Sequence, residues 1–326
     1  MLITHGVWSR ARNHPRDPTG NWRTTLITKT AVGASDIRFS ELVYGAWRLA
    51  DDTDRSKAHV QKKIEACLDV GMTTFYHADI YGDYECETLF GQAFREMSEA
   101  HGITQHVSKC DVALISDKFP DRRVKHYDTS AGYIQQSVEN SLQRLGIECL
   151  DVLLIHRPDP FMDADETGAM LDSLVTDGKT RAVGVSNFKA HDYHLLQSRM
   201  NNRLITNQIE ISLLANQAMT DGDLAYLQTE RMTPMAWSPL AGGALFSDDP
   251  VAVRLRPALQ RHADAQGVDI TAIALAWLMA HPAGIVPVIG SNNLDRIRAA
   301  ADAARVQMTR HDWYELYELA NGHEVP

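Results

Sequence analysis

Tyr81, Lys109 and His156 are residue types that together can deliver a proton to a carbonyl oxygen. A phenol ordinarily titrates near about 10, so donating its proton around neutrality benefits from an ammonium beside it. A histidine can orient the oxygen or relay the proton. Singly, each residue reads equally well as a packed tyrosine, a solvated lysine or a satisfied core histidine. What joins them is placement, because each stands at the end of a short apolar run, in Thr73 to Ala78 and beyond, Thr104 to Lys109, and Cys149 to Ile155.

Other strand ends carry different chemistry. Asn187 and Gln208 offer amide donors and acceptors that match a planar carboxamide, and Trp237 offers a flat face for an aromatic ring. Turn formation by Asn187 and core packing by Trp237 are the plainer alternatives. There is no Gly-x-Gly-x-x-Gly fingerprint, so a dinucleotide would be held otherwise than in a Rossmann site. The loop Ile289-Gly290-Ser291-Asn292-Asn293, followed by Arg296, offers a hydroxyl and a guanidinium to a phosphate. Ser291 could equally be a helix cap.

The elements that must position these groups follow one pattern. From Leu26 onward, short apolar runs alternate with longer amphipathic ones, as in βαβ units. Leu26 to Thr30 and Asp36 to Phe39 predict an opening hairpin turned at Gly33. Strands are predicted at Leu42 to Ala46, Thr73 to Ala78, Thr104 to Lys109, Cys149 to Ile155, Thr180 to Val185, Leu204 to Glu210, Thr233 to Trp237 and Ile285 to Pro287. The intervening helices include Ser56 to Val70, Tyr84 to Ala100 and Ser130 to Leu145, and Thr309 to Gly322 reads as a helix outside the repeat. Eight alternations with near-continuous apolar strands predict an α/β fold, a single-domain (β/α)₈ TIM barrel spanning residues 26–326. Functional residues then belong at the C-terminal ends of the strands.

Bulk properties exclude several classes. The 326 residues are 44% hydrophobic and carry a formal net charge of −10, which argues against a broad nucleic-acid-binding face. No apolar run reaches the roughly 18 residues of a membrane span. Four scattered cysteines, Cys67, Cys86, Cys110 and Cys149, read as reduced thiols of a cytoplasmic protein. The segment 1–25, with Arg10, Arg12, Arg16 and Arg23 but no apolar signal core, reads as a disordered extension. Although the chain has 14 histidines, the strand ends lack the clustered His and carboxylates of a metal-dependent hydrolase, so no metal site is predicted.

These segments together resemble the aldo-keto reductases. The resemblance rests on Ala78-Asp79-Ile80-Tyr81-Gly82 with Glu87 and Gly91, on Lys109, and on His156-Arg157-Pro158. It continues through Gly178-Lys179, Gly184-Val185-Ser186-Asn187-Phe188, Asn207-Gln208-Ile209-Glu210, Trp237-Ser238-Pro239-Leu240 and Ile289-Gly290-Ser291 with Arg296-Ile297. It runs from roughly Phe39 to Thr309. It implies reduction of an aldehyde or ketone by hydride transfer from NAD(P)H. Tyr81 would be the general acid, Lys109 would lower its pKa and His156 would orient the carbonyl. Ser186, Asn187 and Gln208 would hold the nicotinamide carboxamide, with Trp237 stacked on the ring and Ser238 and Leu240 beside it. Gly290, Ser291 and Arg296 would lie along the adenosine 2′-phosphate, favouring NADP(H), and Trp47 would line the substrate pocket.

Two positions depart from the family pattern. The family places an aspartate five residues before the catalytic tyrosine, where it pairs with the lysine; here that residue is Tyr76. Where many members carry a lysine against the 2′-phosphate this chain has Gly290, and Ala299 and Ala300 offer adenine no polar contact. The first departure leads us to expect an active but slow reductase. Lys109 would turn to Asp111, two residues on, or hydrogen-bond the Tyr76 hydroxyl as acceptor. Replacing Tyr76 would change cofactor affinity little, since the nicotinamide contacts would come from other strands. A non-catalytic NADP(H)-binding redox sensor or regulatory subunit is the alternative that Tyr76 favours. Neither the physiological substrate nor the oligomeric state is legible.

Overall fold

The computed structural model describes residues 26–326; the N-terminal segment 1–25, predicted to be a disordered extension, lies outside the described residues. Eight parallel strands close into a barrel: β1 (Val43–Gly45), β2 (Thr74–Tyr76), β3 (Gln105–Cys110), β4 (Leu150–Ile155), β5 (Thr180–Ser186), β6 (Leu204–Glu210), β7 (Thr233–Trp237) and β8 (Val286–Ile289). Neighbours in sequence are neighbours in the sheet, and β8 closes on β1 through Val288 opposite Val43 and Ile289 opposite Tyr44. The predicted (β/α)₈ barrel is therefore the observed one.

Strand burial explains the near-continuous apolar runs. Every residue of β3 is buried and all but Asp151 of β4, because one strand face meets helices and the other the barrel interior. The interior cluster comprises Val43, Tyr76, Val107, Val152, Leu154, Ile205, Met235, Val286 and Val288, joined by Val32, Ile37 and Phe39 of the opening hairpin. That hairpin pairs Lys29–Ala31 with Arg38–Ser40 and stoppers the end of the barrel away from the strand C-termini. Its turn residue Gly33 has φ +56°, and a Cβ there would meet the Ile205 carbonyl oxygen at 2.5 Å, so glycine is required twice over.

The helices start where the sequence supplies caps. Ser56 accepts from the His59 amide at the start of α1 (Lys57–Asp69), and Ser130 accepts from Tyr133 at the start of α3 (Ala131–Leu145). Thr309 and Asp312 form a capping box on the last helix, Arg310–Asn321, which Gly322 ends at φ +80°. That helix docks through stacked Trp277 and Trp313 rings, 4.9 Å apart, each indole N–H donating to the other residue's carbonyl at 3.0 Å.

Two expectations are corrected. The helix predicted over Tyr84 to Ala100 is shorter, α2 at Cys86–Phe94: positive φ at Gly82, Asp83 and Tyr84 delays its start by two residues, and residues 95–100 run in turns instead of continuing it. The loop after β3 contains a small antiparallel pair, Val112–Ala113 with His126–Tyr127, too short for any periodicity to show in the sequence. Boundaries elsewhere match or shift by at most three residues.

Candidate active site

At the C-terminal end of the barrel, Lys109 near the end of β3 extends its Nζ to 2.5 Å from the Tyr81 hydroxyl. Tyr81 reaches this point on the turn after β2, where the Asp79 amide donates to the Lys109 carbonyl at 3.0 Å and locks turn to strand. His156, one residue past β4, sets its ring edge-on to the Tyr81 ring, with centroids 6.1 Å apart at 88°. The three residues singled out in the sequence are thus brought together.

Burial dominates their electrostatics. It pushes the Lys109 ammonium well below the ordinary lysine range, with Asp79 and Asp111 opposing and Arg157 adding to the effect. It pushes the Tyr81 phenol well above 10, raised further by Cys86 and Asp79 and opposed by Arg157. His156 is driven well below the usual histidine range by burial and by the charges of Lys109 and Arg157, so its ring is neutral at pH 7. Its Nδ1 is buried with no hydrogen-bond partner among the described residues.

Lys109 makes no ion pair within 4.0 Å among the described residues, although its side chain is buried. Neither route expected for it is the one found. Asp111 is turned away at φ +102° and accepts from the Arg157 amide at 2.9 Å. The Tyr76 hydroxyl does not accept from the ammonium; instead the Tyr76 ring presents its face, with Nζ 3.8 Å from the centroid. Tyr76 also touches a residue expected to hold the nicotinamide, since its hydroxyl donates across the barrel to Gln208 Oε1 on β6. Strand alternation fixes which face a residue occupies, but not how far a side chain as long as tyrosine reaches across a closed barrel.

Behind Lys109 lies an acidic network that sequence reading touched only in part. Ser137 donates to Asp79 at 2.7 Å; Ser108 and Ser141 donate to the two Glu87 oxygens at 2.7 and 3.0 Å, and Arg144 stands 3.5 Å from Glu87. Burial raises both carboxyls, Asp79 to about 7. Ser137 and Ser141 lie four residues apart on the buried face of α3 among Ile134, Val138 and Leu142, a polar interruption that could have marked the network.

The residues expected to hold the nicotinamide form one connected set. Ser186 donates to the Gln208 carbonyl at 3.0 Å, the Asn187 amide nitrogen Nδ2 donates to Ser186 Oγ at 2.8 Å, and Trp237 Nε1 donates to Asn187 Oδ1 at 3.0 Å. Asn187 and Ser238 hold positive φ, at 61° and 48°, which turns their side chains at the ends of β5 and β7. Leu240 lies partly buried just beyond, packed on the core.

Beyond β8, Ser291 is not a helix cap: Asn293 caps the helix Leu294–Ala300, accepting from the Arg296 amide, while Ser291 Oγ accepts from the Asn293 amide at 3.2 Å. Arg296 is exposed and forms no ion pair among the described residues. Gly290 has a steric reason to be glycine, since a Cβ there would lie 2.5 Å from the Trp47 ring. The indole occupies the space that a side chain at 290 would need.

A dinucleotide fits these residues. Gln208 Nε2 has no protein partner among the described residues once Oε1 is taken by Tyr76, which leaves a donor for a carboxamide oxygen. Arg296 is an uncommitted guanidinium for a phosphate. No group of three or more His, Cys, Asp or Glu that could hold a metal occurs among the described residues, and none of their helices is long and apolar enough to cross a membrane.

The Aldo/keto reductase family model matches residues 41–321. A 6-dehydroglucose reductase of Agrobacterium fabrum is 56% identical over 295 residues, covering 90% of this chain and 99% of that protein. A second 6-dehydroglucose reductase, from Novosphingobium aromaticivorans, is 38% identical over 296 residues, covering 90% and 96%. Among solved structures, an aldo/keto reductase from Klebsiella pneumoniae in complex with NADP and acetate superposes with a TM-score of 0.72 at 23% identity, covering 90% of this chain and 96% of that one.

Proposed function

The chain belongs to the aldo/keto reductase family of oxidoreductases, and on that premise we propose that it reduces an aldehyde or ketone to the alcohol with NADPH, Tyr81 being the proton donor. Bound NADPH supplies the hydride. The observation that carries the assignment is the hydrogen bond between Lys109 and Tyr81 beside a neutral His156. A carbonyl oxygen taking a hydrogen bond from the phenol and one from the imidazole is polarised, and as it becomes an alkoxide it draws the phenolic proton. Lys109 then stabilises the phenolate left behind. Ser186, Asn187 and Gln208 would hold the carboxamide, Trp237 the ring face, with Ser238 and Leu240 alongside, and Ser291 and Arg296 the 2′-phosphate.

Trp47, packed on Gly290, is assigned to the substrate pocket. The two relatives that carry the name 6-dehydroglucose reductase support a sugar aldehyde as substrate. With Tyr76 in place of a carboxylate, turnover is set lower than an ion-paired lysine would allow. The four cysteines, all free thiols, support a cytoplasmic setting.

The absence of a carboxylate within 4.0 Å of Lys109 among the described residues favours, as a second reading, a redox sensor that binds NADP(H) without turnover. NADPH consumption across a panel of aldehydes and ketones that includes 6-dehydroglucose separates the two. Turnover with any carbonyl supports the reductase, whereas tight NADPH binding with none supports the sensor.

A further inference from the structure

Tyr76 touches both halves of the site, and it does so with different parts of one side chain. It ends β2, opposite Gly45 of β1 and Val107 of β3, and is 1% exposed among the residues that fill the barrel interior. Its ring lies beneath the Lys109 ammonium at 3.8 Å from the centroid, and the Tyr81 ring flanks the same ammonium at 4.5 Å. Its hydroxyl reaches Gln208, 132 residues away in sequence.

Resting on the proposed function, we infer that Tyr76 is a positioning residue that couples the two halves: its ring holds Lys109 against Tyr81, and its hydroxyl fixes the side-chain amide of Gln208 for the nicotinamide. The ring can act as the lysine's partner because a desolvated ammonium over an aromatic face is attracted by the ring's negative quadrupole. The hydroxyl can act on Gln208 because a phenol has a single proton to donate. A buried phenol that donates turns the acceptor oxygen of the amide toward itself and leaves the donor nitrogen facing the open site. An aspartate here, several bonds shorter, would stop at the lysine and leave Gln208 free to flip. The substitution therefore exchanges a stronger ionic partner for Lys109 against a preset amide for the cofactor.

Three variants separate the two contacts, read by fluorescence titration of NADPH and by the pH profile of kcat. Tyr76→Phe keeps the ring and removes the hydroxyl. NADPH affinity should fall about fivefold, as for one neutral hydrogen bond, while the pH at which activity is lost on the alkaline side stays put. Gln208→Ala should weaken NADPH on its own, and adding Tyr76→Phe to it should cost no more, because the contact is already gone. Tyr76→Leu also removes the ring. Lys109, less able to stay charged, should then lose its proton at lower pH, so the alkaline fall in kcat should move down by roughly one pH unit.

Wild-type affinity in Tyr76→Phe, or the same fivefold loss in the Gln208→Ala background, overturns the hydroxyl's role. An alkaline limb that moves equally in Tyr76→Phe and Tyr76→Leu overturns the ring's role. If Tyr76→Leu does not fold, Tyr76→Phe and the double variant still decide the coupling to Gln208. Wild-type protein that binds no NADPH overturns the proposed function and this inference with it, whereas wild-type binding with unaltered Tyr76→Phe overturns the inference alone.

Discussion

Asp79→Asn isolates the cost of keeping a carboxyl behind Lys109. The side chain is 3% exposed, one of its oxygens accepts from Ser137, and the other has no partner among the described residues. Burial and the neighbouring Glu87 raise its pKa from 3.8 to about 7. Ionising it inside the protein therefore costs about 4 kcal/mol more than in the unfolded chain.

Between about pH 4 and pH 7 the folded protein retains a proton that the unfolded chain has released. Raising the pH through that window favours unfolding, and above about 7 the cost is constant. At about pH 5.5 some 2 kcal/mol of this cost has accrued, and at about pH 8.5 all of it. The neutral asparagine escapes the titration, so its stability relative to wild type should improve by about 2 kcal/mol on going from the lower pH to the higher. In a barrel of this size that is a few degrees in Tm. Any fixed cost of burying the new amide appears equally at both pH values and cancels. Thermal unfolding of both proteins at the two pH values is the assay. A difference in Tm that does not change with pH refutes the reasoning, because Asp79 would then not titrate differently in the folded and unfolded chain.

Tyr81→Phe should lower carbonyl reduction by roughly 10²–10⁴-fold while NADPH still binds, as steady-state kinetics and a binding titration would show. Arg296→Ala should weaken NADPH by about 1.5–3 kcal/mol and leave NADH nearly unchanged, measured as two dissociation constants. Gly290→Ala should push the Trp47 indole out of place and raise the KM for the carbonyl substrate more than it lowers kcat, because the added Cβ would meet the ring at 2.5 Å.

The barrel was legible because its elements announce themselves locally. Ser56, Ser130 and Thr309, the predicted helix starts, are the residues that cap those helices, and Leu204 to Glu210 and Thr233 to Trp237 match strands to the residue. Tyr81, Lys109 and His156 could be found because a parallel barrel puts strand ends on one face, so linear order already implies proximity. What stayed hidden depends on reach and on space. The Tyr76 hydroxyl meets Gln208 across the lumen, and Gly290 yields to Trp47 from the far end of the chain, contacts that no spacing encodes. The sequence places Tyr84 in a helix that begins only at Cys86, because three successive positive φ values at Gly82, Asp83 and Tyr84 have no signature once two of the three residues are not glycine.

The central claim is direct hydride transfer to a carbonyl with Tyr81 as acid, and isotope transfer tests it most directly. NADPH carrying deuterium at the transferable position is incubated with the protein and 6-dehydroglucose, and the product is examined by mass spectrometry and NMR. The account predicts glucose with one deuterium on the newly formed carbinol carbon, and far less product from Tyr81→Phe. Protein that binds NADPH yet yields no deuterated alcohol from this aldehyde or any other in the panel would contradict it.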